Sequence, residues 1–235
     1  MRLKLVSLLA AAIGFGTLQA ASAAPPSPYN WTGFYFGGHV GLGWDDASSD
    51  ITGSALIRPL ITVGSIPSSL ATDPKGPLGG LQFGYNYQLN KMVYGVEVDF
   101  SLANIDGGAS TTLPGPILPF ATYTTTVDQR LNWFSTLRAR VGFLQTDHVL
   151  FYGTGGLAVG QSNYTANIHR TAILLNFNVP ASATETKTGW TVGAGAEYAL
   201  DNKWSVKAEY LYYDLGSVTL NGTQVPTIIL PNAAS

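Results

Sequence analysis

Apolar and polar residues alternate with a period of two along much of this chain. The clearest segment is 92–102, where the even positions are large and apolar and the odd positions include Glu97 and Asp99. Side chains alternate between the two faces of a β-strand, so this segment has one apolar face and one acidic face. The same pattern predicts seven strands, at about 31–44, 78–89, 92–102, 129–144, 149–160, 189–200 and 203–215.

The connections between these predicted strands are alternately very short and long. Asn90-Lys91, residues 145–148 and Asp201-Asn202 form the short turns, and residues 45–77, 103–127 and 161–187 form the predicted loops. This asymmetry is typical of outer-membrane β-barrels, in which short turns face the periplasm and long loops face outward. A soluble β-sandwich rarely combines it with such apolar strand faces.

The N-terminus predicts export. Arg2 and Lys4 precede an apolar run, residues 5–18, that is too short for a membrane-spanning helix, and Ala21-Ser22-Ala23 suits a signal cleavage site. We therefore predict a signal peptide at 1–23, a periplasmic linker at 24–30, a transmembrane barrel at 31–216, and an incomplete last loop or strand at 217–235.

Composition narrows the possible functions. Charged residues make up only 11% of the chain, which suits a body whose outer face contacts lipid. There is no cysteine, which removes disulfides, thiolate metal sites and a thiol nucleophile. The net charge of −2 offers no basic patch for nucleic acid. We predict no cofactor, no metal and no nucleic-acid partner.

The charged residues of the predicted strands lie on one face of each strand, and the aromatic residues lie on the other. They form a predicted lumen network of Glu97, Asp99, Arg138, Arg140, Glu197, Lys207 and Glu209. The interior of an eight-stranded barrel is just wide enough for side chains to fill, and enclosed charges must pair. Two interpretations remain open: a static ion-pair plug, or a narrow conductance in which the pairs rearrange.

The tryptophans lie near the ends of the predicted strands. Trp and Tyr favour membrane–water interfaces, where they form the aromatic girdles of a barrel. The predicted girdle consists of Trp31, Trp44, Trp133, Trp190 and Trp204.

The histidines give little support for catalysis. His39 falls inward in the first strand, His148 in a short turn and His169 in a predicted loop, and none has a recognisable nucleophile–base spacing. We predict that the protein is not an enzyme, so an outer-membrane enzyme is the remotest alternative.

Several motifs resemble a known family. Residues 31–38 (Trp-Thr-Gly-Phe-Tyr-Phe-Gly-Gly), with Gly41, Gly43 and Trp44, are similar to the opening strand of the alphaproteobacterial OmpA-like small outer-membrane β-barrels, the surface-antigen proteins often labelled "porin family". Residues 210–216 (Tyr-Leu-Tyr-Tyr-Asp-Leu-Gly) are similar to that family's penultimate strand, and residues 153–156 also recur there. The resemblance implies eight antiparallel strands and a location in the outer membrane.

The C-terminus departs from that family, whose last strand alternates and ends on an aromatic residue. Asn221-Gly222 can form a hairpin turn, but residues 223–230 include Pro226 and do not alternate. The predicted fold is therefore all-β, an antiparallel up-and-down transmembrane β-barrel of the eight-strand type with the eighth strand missing or stunted. Such a sheet would leave the edges of its first and last strands unpaired.

These observations favour a structural protein of the outer membrane that supports envelope integrity and displays loops at the surface. The alternative is a narrow ion or small-solute channel. The expected partners are outer-membrane lipids, lipopolysaccharide, the barrel-assembly machinery and an unidentified surface ligand.

Overall fold

A computed structural model describes residues 2–8, 12–15, 29–45, 47–51, 58–115, 121–171 and 177–217. The elements are, in chain order, β1 (Arg2–Leu8), β2 (Ala12–Phe15), β3 (Gly33–Asp45), β4 (Ala47–Asp50), α1 (Arg58–Thr62), β5 (Ser69–Thr72), β6 (Lys75–Leu89), β7 (Met92–Pro114), β8 (Thr122–Thr146), β9 (Val149–Thr171), β10 (Phe177–Ala199) and β11 (Trp204–Ser217). Residues 218–235, which include the predicted stunted strand, lie outside the described residues.

Seven long strands form the body of the sheet. β3, β6, β7, β8, β9, β10 and β11 pair with their chain neighbours, and every pairing is antiparallel. This is the up-and-down order of a β-barrel, so the predicted fold class is confirmed. Each of the seven predicted strands corresponds to one of these elements.

The two N-terminal segments lie between the first and the last of these strands. β1 and β2 pair antiparallel with β11 on one side and with β3 on the other. The sequence prediction left residues 1–23 out of the fold as a signal peptide. In the structure β1 and β2 take the position expected for an eighth strand, because the edges of β3 and β11 otherwise lack hydrogen-bond partners.

Two of the three predicted loops are wrong in extent. β7 continues to Pro114 and β8 begins at Thr122, so most of residues 103–127 is strand, and β9 and β10 likewise extend through much of 161–187. The outward positions of these extensions are polar, and their inward positions mix polar residues with a few apolar ones such as Ile105 and Tyr164, so the apolar alternation from which the strands were predicted is weak there. The remaining predicted loop, 45–77, contains β4, α1 and β5.

The predicted short turns are confirmed at one end of the sheet. Asn90 has φ 56°, the left-handed conformation that Asn tolerates well, and it joins β6 to β7 with Lys91. At the turn before β11, the backbone amides of Lys203 and Trp204 donate to Asp201 Oδ1 at 2.7 and 2.8 Å. A left-handed residue thus closes the first hairpin, and side-chain to backbone hydrogen bonds close the last one.

The outer surface of the sheet carries an apolar belt. Its exposed members include Phe34, Phe36, Leu81, Phe83, Val96, Val98, Phe100, Leu137, Val141, Phe143, Phe151, Leu157 and Val192. An exposed apolar surface of this extent is far larger than a soluble monomer normally tolerates. Within the described part of the chain, no helix has the length and hydrophobicity needed to cross a bilayer.

A β-bulge corrects one predicted face. Strict alternation along the predicted strand 129–144 would place Leu131 on the outward face with Trp133, but Leu131 is only 1% exposed and lies inside. Leu131 and Trp133 pair with the consecutive residues Ser162 and Gln161, so Asn132 is an extra residue in β8. One extra residue reverses the facing of every side chain beyond it.

Candidate functional site

The seven predicted lumen charges come together inside the barrel. Glu97 and Asp99 lie on β7, Arg138 and Arg140 on β8, Glu197 on β10, and Lys207 and Glu209 on β11, and all seven are buried. The alternation of each strand directs these side chains inward and the neighbouring aromatic residues outward. The structure thus assembles the predicted set as a single charged layer, with four acids and three bases.

Arg138 is the centre of this layer. Its Nη2 donates to Glu97 Oε1 at 2.5 Å and to Asp99 Oδ2 at 3.0 Å, and its Nη1 donates to Glu209. Asp99 also accepts a bond from the hydroxyl of Thr136. One guanidinium therefore joins acids from β7 and β11 across the interior, as the forked geometry of Arg allows.

Two further bases complete the network. Arg140 Nη2 donates to Glu197 Oε2 at 2.7 Å, and Lys207 Nζ donates to Glu97 Oε2 at 2.8 Å. The guanidinium carbon of Arg140 also lies 4.0 Å from the ring centroid of Tyr152. Every charged group of the layer thus has an oppositely charged partner within the layer.

Two tyrosines extend the layer, and the sequence analysis did not select them as site residues. Tyr35 donates to Glu97 Oε2 at 2.6 Å, and Tyr152 donates to Glu209 Oε2 at 2.6 Å. Both lie at inward positions of their strands, so the alternation of faces alone predicts that they contact the lumen charges. The apolar character expected of tyrosine in a membrane barrel concealed their role as donors.

An apolar layer closes the short-turn end of the interior. Its buried members are Trp31, Val93, Leu144, Leu150, Tyr152 and Ala199. Tyr29 packs edge-on against Trp31 with ring centroids 4.7 Å apart. Partial burial, together with the nearby carboxylates of Glu197 and Asp201, raises the pKa of Tyr29 to about 12.

The assignment of Trp31 to the membrane-facing girdle is therefore wrong. Trp31 is 4% exposed and lies within this apolar layer. Its backbone amide donates to Gln88 Oε1 at 2.9 Å and its indole Nε1 to the carbonyl of Asp147 at 3.1 Å. Two hydrogen bonds to other hairpins turn the ring inward before β3 begins.

The remaining tryptophans differ in exposure. Trp190 is 48% exposed and packs beside Tyr212 on the outer surface, with ring centroids 5.4 Å apart. Trp133 stacks on the exposed Phe100, with centroids 5.8 Å apart. Trp44 and Trp204 are half-buried. Trp133 and Trp190 therefore lie on the outer surface, and their place in an aromatic girdle stays a prediction.

A second apolar layer lies on the opposite side of the charges. It comprises Leu78, Ile105, Leu131, Phe134, Ala158, Tyr164, Leu211, Tyr213 and Leu215. Phe134 and Tyr213 meet across the interior with ring centroids 5.0 Å apart. The charged layer is thus enclosed between two apolar layers, an arrangement that parity alone did not predict.

A smaller apolar cap lies farther along the protruding hairpins. Ile66, Ala121, Tyr123 and Ile168 are buried together, and Leu60 and Ile61 of α1 pack against them. Residues 60–66 therefore fold onto the interior-facing side of β8 and β9.

The histidines do not form a catalytic arrangement with one another. His39 is buried, and its Nε2 lies 2.7 Å from Ser101 Oγ. His148 lies in the short turn between β8 and β9, beside Tyr29 and Tyr198. The predicted placement of His169 in a loop is wrong, because it lies within β9.

Comparison with known proteins agrees with this geometry. Residues 8–227 match the outer membrane protein beta-barrel domain. A "31 kDa outer-membrane immunogenic protein" of Brucella melitensis is 35% identical, covering 91% of this chain and 83% of the relative. A "22 kDa outer membrane protein" of Rhizobium leguminosarum is 29% identical, covering 84% of this chain and 71% of the relative.

A solved structure, the "CymD monoaromatic hydrocarbon channel", is 11% identical with a TM-score of 0.30, covering 91% of this chain and 88% of its own, and so bears on neither fold nor function. The family match, the named relatives and the apolar belt all indicate a β-barrel protein of the outer membrane. The chain belongs to the outer-membrane β-barrel family, among small alphaproteobacterial outer-membrane proteins, and resides in the cell outer membrane.

Proposed function

We propose that this protein is a non-conducting structural barrel that supports the integrity of the outer membrane and displays its protruding hairpins at the cell surface. The observation that carries the proposal is the enclosure of a fully paired charged layer between two apolar layers. We expect the barrel-assembly machinery to insert it, and outer-membrane lipids and lipopolysaccharide to surround it.

The layers oppose permeation in different ways. An ion that enters from either end must first cross an apolar layer with no charge to replace its hydration shell. It would then have to separate pairs such as Arg138–Glu97, at 2.5 Å, in which both side chains are buried. Rearranging the charges alone would leave both apolar layers in place.

The narrow channel remains the second candidate, because the charged layer contains four acids and three bases. An excess of acid would favour a cation path. The test is single-channel recording of the purified protein in planar bilayers. The structural proposal expects no conductance steps, whereas reproducible cation-selective steps that Glu97→Gln alters would contradict it.

Variants of the apolar layers sharpen this test. Trp31→Ala combined with Phe134→Ala removes a large side chain from each apolar layer and leaves every charge in place. We expect intermittent conductance only in this variant. Phe100→Ala is the matched control, because it removes an aromatic ring from the lipid-facing surface. Heat-modifiable migration in gels confirms that each variant is folded before it is recorded.

Surface display is tested by labelling. A cysteine at Ser68 lies on the long-loop side and one at Asn202 on the short-turn side. On intact cells, an impermeant maleimide should label only the Ser68→Cys variant. Labelling of the Asn202→Cys variant alone would show that the hairpins face the periplasm, and the display role would be wrong.

A further inference from the structure

The outer face of the protruding hairpins is polar, in contrast to the apolar belt below it. Cross-strand rows of outward residues follow one another along β7, β8, β9 and β10. We call this surface the hydroxyl face, and its members are Asp106, Gly108, Ser110, Thr112, Thr124, Thr126, Asp128, Arg130, Asn163, Thr165, Asn167, Ser182 and Thr184. Cross-strand hydroxyls bond to one another, Ser110 to Thr126 at 3.1 Å and Thr112 to Thr124 at 2.9 Å.

A groove is built into the lower part of this face. It has a volume of about 610 Å³ and is lined by Asn104, Asp106, Gly107, Gly108, Asp128, Gln129, Arg130, Asn163 and Thr165. Arg130 Nη2 donates to Asn104 Oδ1, which holds the guanidinium at the wall. The volume falls within the range of about 300–1,000 Å³ that small-molecule sites occupy.

Glycine keeps the groove open. A Cβ at Gly108 would lie 2.2 Å from Asp128 Oδ1, so a side chain there would displace the carboxylate that forms the wall. A Cβ at Gly107 would lie 2.5 Å from Pro74 Cα, so the backbone of β7 can pack against the segment behind it. The floor of the groove is therefore bare backbone, which a ligand ring can approach closely.

The position of the groove identifies its occupant. Asp106 and Arg130 pair in the ladder four residues from Leu102 and three from the predicted girdle residue Trp133, which is about 10 Å of strand. The girdle marks the membrane–water interface. The groove thus continues the lipid-facing surface into the zone where the saccharides of outer-leaflet glycolipids lie.

The chemistry of the groove favours sugar hydroxyls over phosphates. Of its three charged side chains, Asp106 and Asp128 are acids and Arg130 is a base. Carboxylates accept hydrogen bonds from hydroxyl groups, and side-chain amides both accept and donate them, whereas a net negative lining repels phosphate.

We propose that this groove binds the core saccharide of lipopolysaccharide molecules packed beside the barrel. The proposal rests on the proposed envelope role and assigns its lipopolysaccharide contact to one face. Asp128 accepts bonds from sugar hydroxyls, Arg130 and Asn163 donate to sugar oxygens, and the glycolipid's acyl chains lie along the belt below. The protein would thereby hold neighbouring glycolipids in register with its own surface.

The test compares two glycolipids and two charge-neutral double variants. The purified full chain in detergent is titrated with rough lipopolysaccharide, which carries the core saccharide, and with lipid A, which lacks it. Asp128→Ala/Arg130→Ala removes two of the groove's three charged groups without changing the net charge. Lys91→Ala/Asp147→Ala is the matched control, because both residues are exposed at the short-turn end.

The wild type should bind rough lipopolysaccharide more tightly than lipid A. The groove variant should lose about tenfold of that affinity, as expected when a hydrogen bond to a charged group is lost, while its affinity for lipid A stays unchanged. The control variant should bind as the wild type does, and all proteins should keep heat-modifiable migration.

Three outcomes would overturn the proposal. If the wild type bound the two glycolipids with equal affinity, the groove would make no contact with the core saccharide. An equal loss in both double variants would show that the effect is not local to the groove. Loss of a protein dimer in the groove variant, with glycolipid binding unchanged, would assign the face to a second copy. None of these outcomes would alter the conductance result, so the structural role is judged separately.

Discussion

The barrel interior and the hydroxyl face are both rich in polar side chains, but a charged side chain has more partners in the interior. Inside, Arg138 contacts Glu97, Asp99 and Glu209, and all four side chains are buried. Outside, Arg130 is exposed and bonds to a single amide, that of Asn104. The same strand, β8, supplies both arginines. Enclosure, rather than residue type, therefore decides how many partners a charge needs.

The largest effect is expected from removing the buried arginine of the interior. Arg138→Met keeps most of the side-chain volume but leaves Glu97, Asp99 and Glu209 without their shared cation. We expect the free energy of unfolding to fall by about 3–5 kcal/mol, the cost of an uncompensated buried charge. Guanidinium titration of the far-ultraviolet circular dichroism in detergent measures it.

The matched variant is Arg130→Met, on the same strand but exposed, which should leave the unfolding midpoint unchanged. Adding Asp99→Asn to Arg138→Met should restore part of the loss, because Asp99 pairs with Arg138, whereas Lys207 still lies near Glu97 and Glu209. An equal loss in the two single arginine variants would show that enclosure does not distinguish these sites.

Parity predicted the charged layer because its strands are regular. Glu97 and Arg138 lie directly opposite each other in the β7–β8 ladder, and both follow the alternation of their strands without interruption. Two features lay beyond that reasoning. The bulge at Asn132 has no sequence signature, and Trp31 precedes its strand, so its direction depends on hydrogen bonds to Gln88 and Asp147 in other hairpins.

The protruding hairpins escaped prediction for a different reason. Segments such as Ser110 to Thr112 on β7 and Thr124 to Thr126 on β8 have no apolar face, so period-two alternation of hydrophobicity cannot reveal them. Their threonines have high β-propensity, which was the available signal. The apolar layers were also concealed, since their members come from strands far apart in the chain.

A smaller effect tests the bulge. Leu131→Ala should lower the free energy of unfolding by about 3 kcal/mol, because Leu131 is buried in the second apolar layer, which contains Phe134 and Tyr213. Leu137→Ala is the matched change on the same strand, where the side chain is 58% exposed to lipid, and its effect should be much smaller. If the two losses were reversed, the bulge at Asn132 would be misplaced.

Two glycines of β9 test how closely its backbone approaches that of β8. A Cβ at Gly156 would lie 2.0 Å from the carbonyl oxygen of Leu137 and 2.8 Å from Arg138 Cα, whereas a Cβ at Gly153 would lie 3.8 Å from its nearest neighbour. Gly156→Ala should therefore destabilise the barrel by about 2 kcal/mol, the typical cost of overpacking. Gly153→Ala should be neutral. The same guanidinium titration distinguishes them, and equal effects would contradict the close approach of β9 to β8.

The smallest expected effect lies on the hydroxyl face. Thr112 and Thr124 face each other across the β7–β8 ladder, with their hydroxyls 2.9 Å apart. Water competes for this bond, so its coupling energy should lie at the low end of cross-strand pairs, about 0.3 kcal/mol. A double-mutant cycle of Thr112→Val and Thr124→Val, followed by guanidinium titration, isolates that coupling from the change in β-propensity. The buried pair of Thr136 and Asp99 provides the contrast, since no water replaces a lost partner there. A coupling between the exposed threonines as large as that between Thr136 and Asp99 would mean that the hydroxyl face is enclosed, and a saccharide could not then reach it.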